Sequence, residues 1–198
     1  MVRPALRSFI VAGGLGLLLL ALHLWVTRGT GELPAAVADR FGASAGTVAS
    51  RPWAQATAMW LHGSWGHLAY NLVVLMATMP FAIAAFGDRA VGFALVSSPL
   101  AGFAVNLLLI LPLAGVWGYA AAAVEPRLVG ASLFVFAGAG IAWVAWTGPV
   151  AWKAAALVAF VAYEIALAVL GLTQPFVGGY HIAGALLGIG WGLAMARS

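Results

Sequence analysis

The chain has 198 residues, of which 64% are apolar and only 7% are charged, with a formal net charge of +4. This is the composition of a membrane protein. The absence of cysteine excludes disulfides, thiolate nucleophiles and thiolate metal ligands. No run of Lys and Arg is long enough to bind the phosphate backbone of a nucleic acid, so we expect no nucleic-acid partner. Any chemistry must come from Ser, His, Asn, Glu and the backbone, and we expect no cofactor and no metal.

Apolar runs near the roughly 20 residues needed to cross a bilayer predict an all-α, polytopic membrane protein with six transmembrane helices in a single domain, 1–198. The predicted spans are 8–27, 67–86, 90–113, 130–146, 154–172 and 181–196, with a long outer loop at 28–66. Breakers such as Thr147-Gly148-Pro149 separate neighbouring spans. The first run is long for the core of a cleaved signal peptide, so we expect it to be retained.

The distribution of basic residues predicts the orientation of the spans. With six spans, one side of the membrane receives Arg3, Arg7, Arg89, Lys153 and Arg197, and the positive-inside rule makes that side cytoplasmic. Both termini are then cytoplasmic, and spans two, four and six all begin at the outer side. Polar groups near those starts are costly against lipid, so we expect them to face one another around a wet cavity that opens outward.

The polar groups at that depth are suited to acyl transfer. His67 and Asn71 are four residues apart, so they lie on one helix face and can donate hydrogen bonds to one developing anion. Ser132 near the start of span four and His181 at the start of span six are candidate nucleophile and general base. No acid lies at the right depth to orient the base, so we expect packing against a neighbouring ring to hold the imidazole.

Three motifs occur in order, each at its predicted place in the chain. They are Pro52-Trp53 with His62, His67 and Asn71 (H-x4-H-x3-N), then Gly130-Ala131-Ser132 (G-x-S), then His181 with Gly184 and Gly188 (H-x2-G-x3-G). Through these motifs the chain resembles, from about Pro52 to the C terminus, the rhomboid intramembrane serine proteases. The resemblance implies a rhomboid-like bundle of six transmembrane helices in a bacterial inner (plasma) membrane.

The resemblance also implies a role for each motif residue. Ser132 would be the nucleophile, His181 the general base, and His67 and Asn71 the oxyanion hole together with the Ser132 backbone N–H. His62, Phe136, Gly130, Gly184 and Gly188 would support these residues, with His62 as a structural histidine and Phe136 stacked on the base. The substrates would be single-pass transmembrane proteins, cleaved near their outer end.

The glycines of the last span also have a physical interpretation that is independent of any family. Gly184 and Gly188 follow His181 by three and seven residues, so all three lie on one helix face. Small residues let two membrane helices approach closely, and a Ser to His hydrogen bond between helices needs that approach. Gly138 and Gly140 of span four are the expected facing groove.

Two residues keep other functions open. Leu133 follows the candidate nucleophile where most active relatives have glycine, which favours an inactive relative that binds transmembrane helices without cleaving them. Glu164 lies near the middle of span five, where an acid suggests a functional site such as the proton path of a small transporter. Our preferred interpretation of Glu164 is a carboxyl bonded to a helix carbonyl or to Asn106.

Overall fold

The computed structural model describes residues 4–110, 129–170 and 175–198. Its α-helices are α1 (Leu6–Thr27), α2 (Ala35–Phe41), α3 (Ala54–Thr57), α4 (Trp65–Phe86), α5 (Arg89–Val105), α6 (Ser132–Ala145), α7 (Val150–Val169) and α8 (Pro175–Arg197). Two 3₁₀ turns, Ala45–Thr47 and Ala58–Trp60, lie in the loop before α4, and a π turn, Asn106–Ile110, follows α5. The predicted all-α fold is confirmed.

Five of these helices, α1, α4, α5, α7 and α8, are long and apolar enough to cross a membrane. The sixth apolar helix, α6, has only 14 residues. At 1.5 Å per residue it is about 21 Å long, which is less than the roughly 30 Å of a bilayer's hydrocarbon core. The two ends of α6 therefore cannot both reach the membrane surface, and a polar residue at its end can lie at the bottom of a cavity.

The short helix α6 lies in the middle of the bundle, packed against α4, α5 and α8. Its buried face includes Phe134, Val135 and Ile141, which join Leu75 and Met79 of α4 in one apolar core. On the outside, α1 packs on α4 and α7 packs on α8. Within 150–167, Glu164 is the one buried residue of α7, and the others are half-buried or exposed. The outer helix α7 is therefore attached to the bundle by a narrow face.

The helix boundaries differ most from the prediction at the last two spans. We predicted span six from His181, but α8 begins six residues earlier, at Pro175. Proline is compatible with the first turn of a helix, and the Gly178-Gly179 pair that looked like a loop is part of the helix. Likewise α7 begins at Val150 rather than at 154, because Lys153 is accommodated by donating a hydrogen bond to the Val144 carbonyl at the end of α6.

The other boundaries agree more closely with the prediction. The first two long helices begin two residues early, and α6 is confined to Ser132–Ala145 within the predicted 130–146. The third span begins at Arg89, and the end of the predicted 90–113 lies outside the described residues, as does the predicted loop around Glu125 and Arg127.

The polar segment 28–66 is a structured part of the molecule. It contains α2, α3 and the two 3₁₀ turns, and its ends are joined by a hydrogen bond from the Leu33 N–H to the Gly63 carbonyl. At the opposite end of the bundle, Arg7 of α1 pairs with Asp88 in the turn between α4 and α5. The start of α1 and the end of α4 therefore lie on one side, as the predicted topology requires.

Candidate active site

Ser132 is the first residue of α6 and follows a sharp turn at Gly130-Ala131. Gly130 has a φ of +135°, a conformation that residues with a side chain rarely adopt. A Cβ atom on Gly130 would lie 2.5 Å from the His67 ring and 3.6 Å from Nδ2 of Asn71. The turn therefore runs directly against these side chains of α4, and half-buried Ser132 follows it.

His67 and Asn71 lie near the start of α4, which is capped by Ser64. The Ser64 Oγ accepts a hydrogen bond from the His67 backbone N–H at 3.3 Å, which fixes the first turn of the helix. Asn71 is fully buried, and within the described residues neither its Nδ2 nor its Oδ1 has a hydrogen-bond partner. An unpaired buried amide costs about 1–3 kcal/mol. A catalytic role is one of the recognised explanations for an unpaired buried polar group.

His181 lies on α8, on the other side of the site. Its ring stacks on Phe136 of α6 with centroids 4.4 Å apart and planes at 26°. The Tyr70 ring of α4 lies 6.3 Å away. The Nδ1 atom is 2.9 Å from Oε1 of Glu164 on α7, and both side chains are buried. Two aromatic rings and a carboxyl group therefore hold the imidazole.

The backbones of α6 and α8 touch along a row of glycines. A Cβ atom on Gly184 would lie 2.8 Å from the Leu133 carbonyl oxygen, and one on Gly188 would lie 2.0 Å from the Ala137 carbonyl oxygen. From the other helix, a Cβ atom on Gly140 would lie 2.1 Å from the Ala185 carbonyl oxygen.

Gly138 does not belong to this row, contrary to the prediction that it faces span six. A Cβ atom there would lie 2.6 Å from the Met79 side chain, so Gly138 faces α4. Gly138 and Gly140 are two positions apart in sequence, so they lie on different faces of the helix.

Ser132 and His181 belong to the same interface between α6 and α8. Phe136, on which His181 stacks, comes one turn after Ser132 and therefore lies on the same face of α6. Gly184, one turn after His181, lies against Leu133 and Phe136. Within the described residues no hydrogen bond joins the Ser132 hydroxyl to His181. Hydrogen bonds between a nucleophile and its base are often loose before substrate binds.

His62 supports the turn before Ser132 from the loop that precedes α4. Its Nε2 accepts the Ala131 N–H at a long 3.5 Å, and its ring lies edge-on to those of His67 and His23. Burial, followed by repulsion from His67 and His23, lowers the pKa of His62 to about 3. His62 is therefore neutral at physiological pH, which leaves Nε2 able to accept the hydrogen bond.

A cavity of about 90 Å³ adjoins the candidate nucleophile. Its lining includes His67, Ser132 and Leu133, together with Ser98 of α5 and Tyr180 of α8. The volume has room for several water molecules, and the lining carries polar groups that can bind them. Water can thus reach the Ser132 hydroxyl inside the bundle.

Two expectations about the acid were wrong. Within the described residues Glu164 bonds to His181 and not to Asn106 or to a helix carbonyl, so the candidate base does have an acid beside it. Asn106 instead donates hydrogen bonds to Gln55 Oε1 at 3.1 Å and to the Gly102 carbonyl at 2.9 Å. It accepts one from the Tyr180 hydroxyl at 2.6 Å.

The early start of α8 explains why the acid was missed. Six additional residues before His181 place it about 9 Å from the start of α8, and Glu164 lies a similar distance, five residues, before the end of α7. Tyr70 was also missed, although it follows His67 by three residues and so lies on the same face of α4.

Comparison with known proteins gives one match. The family model for the Rhomboid domain matches residues 49–198. No curated protein and no solved structure matches the chain. The matched range begins in the loop before α3 and includes Ser132, His181, His67, Asn71, His62 and Glu164, whereas His23 of α1 lies before it.

Proposed function

Because this chain belongs to the rhomboid family, we propose that it is an intramembrane serine protease that uses Ser132 and His181. The observation that supports this most is the position of the base, stacked on Phe136 one helical turn from the serine. Across the site, His67 and the unpaired amide of Asn71 face the turn that leads into Ser132. These contacts support a site in which a nucleophile, a base and two potential donors act on one substrate carbonyl.

The proposed reaction follows the usual course of acyl transfer. The Ser132 Oγ attacks the substrate carbonyl carbon while His181 Nε2 takes its proton. The backbone N–H of Ser132, with His67 and Asn71, stabilises the negative charge on the carbonyl oxygen. His181 then gives the proton to the leaving amine as the peptide bond breaks. A water molecule, deprotonated by His181, releases the second product and restores the serine.

We propose single-pass transmembrane proteins as substrates and a bacterial inner membrane as the location. The chain carries several apolar helices of spanning length, so it is a multi-pass membrane protein. Arg7 and Asp88 lie at one end of the bundle and Ser132 at the start of α6, in keeping with cytoplasmic termini and a site that opens outward. Cleavage would then occur near the outer end of the substrate helix.

A fluorophosphonate probe tests the proposal, because it reacts covalently with an activated serine. We expect the probe to label the detergent-solubilised protein, and Ser132→Ala or His181→Ala to abolish the labelling. Ser97→Ala is the matched control, since Ser97 is buried on α5 and, within the described residues, its hydroxyl bonds only to the Phe93 carbonyl of its own helix. Labelling that persists in both the Ser132 and the His181 variant would contradict the proposal.

A second candidate function rests on Leu133. Its Cδ1 would be 3.4 Å from a Cβ atom on Gly102, and it lines the cavity beside Ser132. A side chain there narrows the space for a tetrahedral intermediate, and the protein would then bind transmembrane helices without cutting them. In that case the fluorophosphonate does not label the wild type, although the wild type binds transmembrane helices, and it does label the Leu133→Gly variant.

Replacing Gly130 should disable the site without removing any reacting group. In Gly130→Ala the new methyl group meets the His67 ring, and the backbone must hold a φ of +135° with a side chain attached. We expect fluorophosphonate labelling to slow about 100-fold, the usual effect of a misplacement near 1 Å.

Gly63→Ala is the control for this variant. A Cβ atom on Gly63 would lie 4.0 Å from its nearest neighbours, His67 and Val129, which is ordinary contact. Gly63→Ala should therefore be labelled at the wild-type rate. Equal labelling of the Gly130 and Gly63 variants would show that the turn does not position Ser132.

A further inference from the structure

We propose that Glu164 is a positioning residue for the base, so that the site works as a Ser132, His181 and Glu164 triad rather than as a dyad. The Glu164 carboxylate would accept the Nδ1–H of His181 and so leave Nε2 unprotonated toward Ser132. This inference rests on the proposed protease function and deepens it.

The contact between the two side chains is short and protected. Oε1 of Glu164 lies 2.9 Å from Nδ1 of His181, within the range of a charge-assisted hydrogen bond. The side chain of Glu164 is 1% exposed and that of His181 is 8% exposed. Water competes poorly at this burial, so the bond can fix the orientation of the ring.

A glycine on α8 makes the room for the carboxyl group. A Cβ atom on Gly178 would lie 3.3 Å from the Glu164 Cβ and 3.4 Å from its Oε2. Gly178 comes three residues before His181, so both lie on the face of α8 that α7 covers. Glu164 is the one buried residue of α7 within 150–167. The narrow face by which α7 contacts the bundle is thus centred on the base.

The tautomer of His181 decides whether it can act as a base. If Nδ1 carries the proton and donates it to Glu164, Nε2 has a free lone pair that can take the serine proton. If the proton is on Nε2 instead, the ring cannot accept a proton there. An acid at Nδ1 selects the productive form, as the carboxylate does in soluble serine proteases.

The charge formed during catalysis gives a second reason for an acid. When Ser132 attacks, His181 becomes an imidazolium in the interior of a membrane protein, where an isolated charge is costly. Stacking on Phe136 supplies only a modest stabilisation of that charge. A carboxylate 2.9 Å away supplies a full counter-charge. Glu164 would therefore lower the barrier more than it lowers the energy of the resting state.

A series of variants at Glu164 tests the inference. Glu164→Leu removes the acceptor and the charge at similar volume, and Glu164→Gln keeps an acceptor oxygen without the charge. We expect Glu164→Leu to lower kcat by about 10³- to 10⁴-fold with little change in KM. The kcat of Glu164→Gln should lie between that of Glu164→Leu and that of the wild type. Tyr163→Phe on the same helix is the control, because Tyr163 is 49% exposed. It should keep the wild-type kcat.

The imidazole nitrogens give a readout that a merely structural role would not change. The protein has only four histidines, so ¹⁵N-histidine spectra can be assigned with single substitutions. We expect His181 to be in the Nδ1–H form in the wild type and to shift toward the Nε2–H form in Glu164→Leu. An unchanged tautomer and an unchanged kcat in Glu164→Leu would overturn the inference.

The two proposals fail in different ways. If the wild type is neither labelled nor active, the protease function fails, while the tautomer still decides whether Glu164 orients His181. If the wild type is active and Glu164→Leu matches it in kcat and in tautomer, the triad fails and the dyad stands.

Discussion

Gly188→Ala should destabilise the protein by about 3 kcal/mol or more and abolish fluorophosphonate labelling. The new methyl carbon would lie 2.0 Å from the Ala137 carbonyl oxygen and 2.7 Å from its carbonyl carbon. These are backbone atoms of α6, so no side-chain rotation can relieve the contact and the two helices must move apart. Overpacking of a tight core typically costs 1–3 kcal/mol, and a collision between backbones belongs at or above the top of that range.

The effect on the site follows from the same displacement. Gly188 is two turns after His181 on α8, and Ala137 is close to Phe136, on which His181 stacks. Separating the helices at this level would move His181, the proposed base, away from Ser132. A shift of about 1 Å is enough to cost about 100-fold in rate.

Gly190→Ala is the matched control for Gly188→Ala. It makes the same change two residues later on α8, where a Cβ atom would meet nothing within 4 Å. Alanine is a better helix former than glycine, so this variant should be as stable as the wild type or more stable by up to about 1 kcal/mol. Thermal unfolding in detergent compares the two. Equal melting temperatures for both variants would contradict the close packing of α6 and α8.

The sequence predicts this packing well because it depends on spacing alone. Residues three and seven positions after His181 must lie on its helix face, whatever the details of the fold. The same reasoning placed His67 and Asn71 side by side on α4. The predicted start of span four, at 130, is two residues before the start of α6, because Gly130 has a φ of +135° and is not helical.

What the sequence did not predict depends on depth and on contacts between helices. The Gly178-Gly179 pair is equally compatible with a loop and with a helix packed closely against a neighbour. Because we interpreted it as a loop, we predicted His181 at the start of span six, at the membrane surface. Once α8 begins at Pro175, His181 and Glu164 can meet. Spacing could not pair Asn106 with Gln55 and Tyr180 either, because these three lie on different segments.

Asn71→Leu should lower kcat by about 10²- to 10³-fold while leaving the protein at least as stable as before. That loss is typical for removal of one donor from an oxyanion hole, because the bond forms fully only in the transition state. KM should change little for the same reason. Leucine has a similar volume, so the variant opens no cavity. The measurements are kcat and KM with a cleavable transmembrane substrate, and thermal unfolding in detergent.

The free energy of unfolding should not fall in Asn71→Leu, because the substitution removes no hydrogen bond found within the described residues. Within the described residues its Nδ2 and Oδ1 make no hydrogen bond although the side chain is fully buried. Replacing an unpaired buried polar group with an apolar one removes a desolvation cost, so a small gain in stability is the expected sign. Such a gain would fit the proposed role of Asn71, because functional residues are often retained at a cost in stability.

Asn106→Leu is the matched control, because Asn106 is equally buried and differs in having partners. It bonds to Gln55, to the Gly102 carbonyl and to Tyr180, so its replacement leaves buried polar groups unpaired and should cost about 1–3 kcal/mol. The two variants should therefore differ: Asn71→Leu should have a lower kcat, and Asn106→Leu should have a lower free energy of unfolding. If Asn71→Leu instead melts at a lower temperature and keeps its kcat, Asn71 is a structural residue and the oxyanion hole must be built without it.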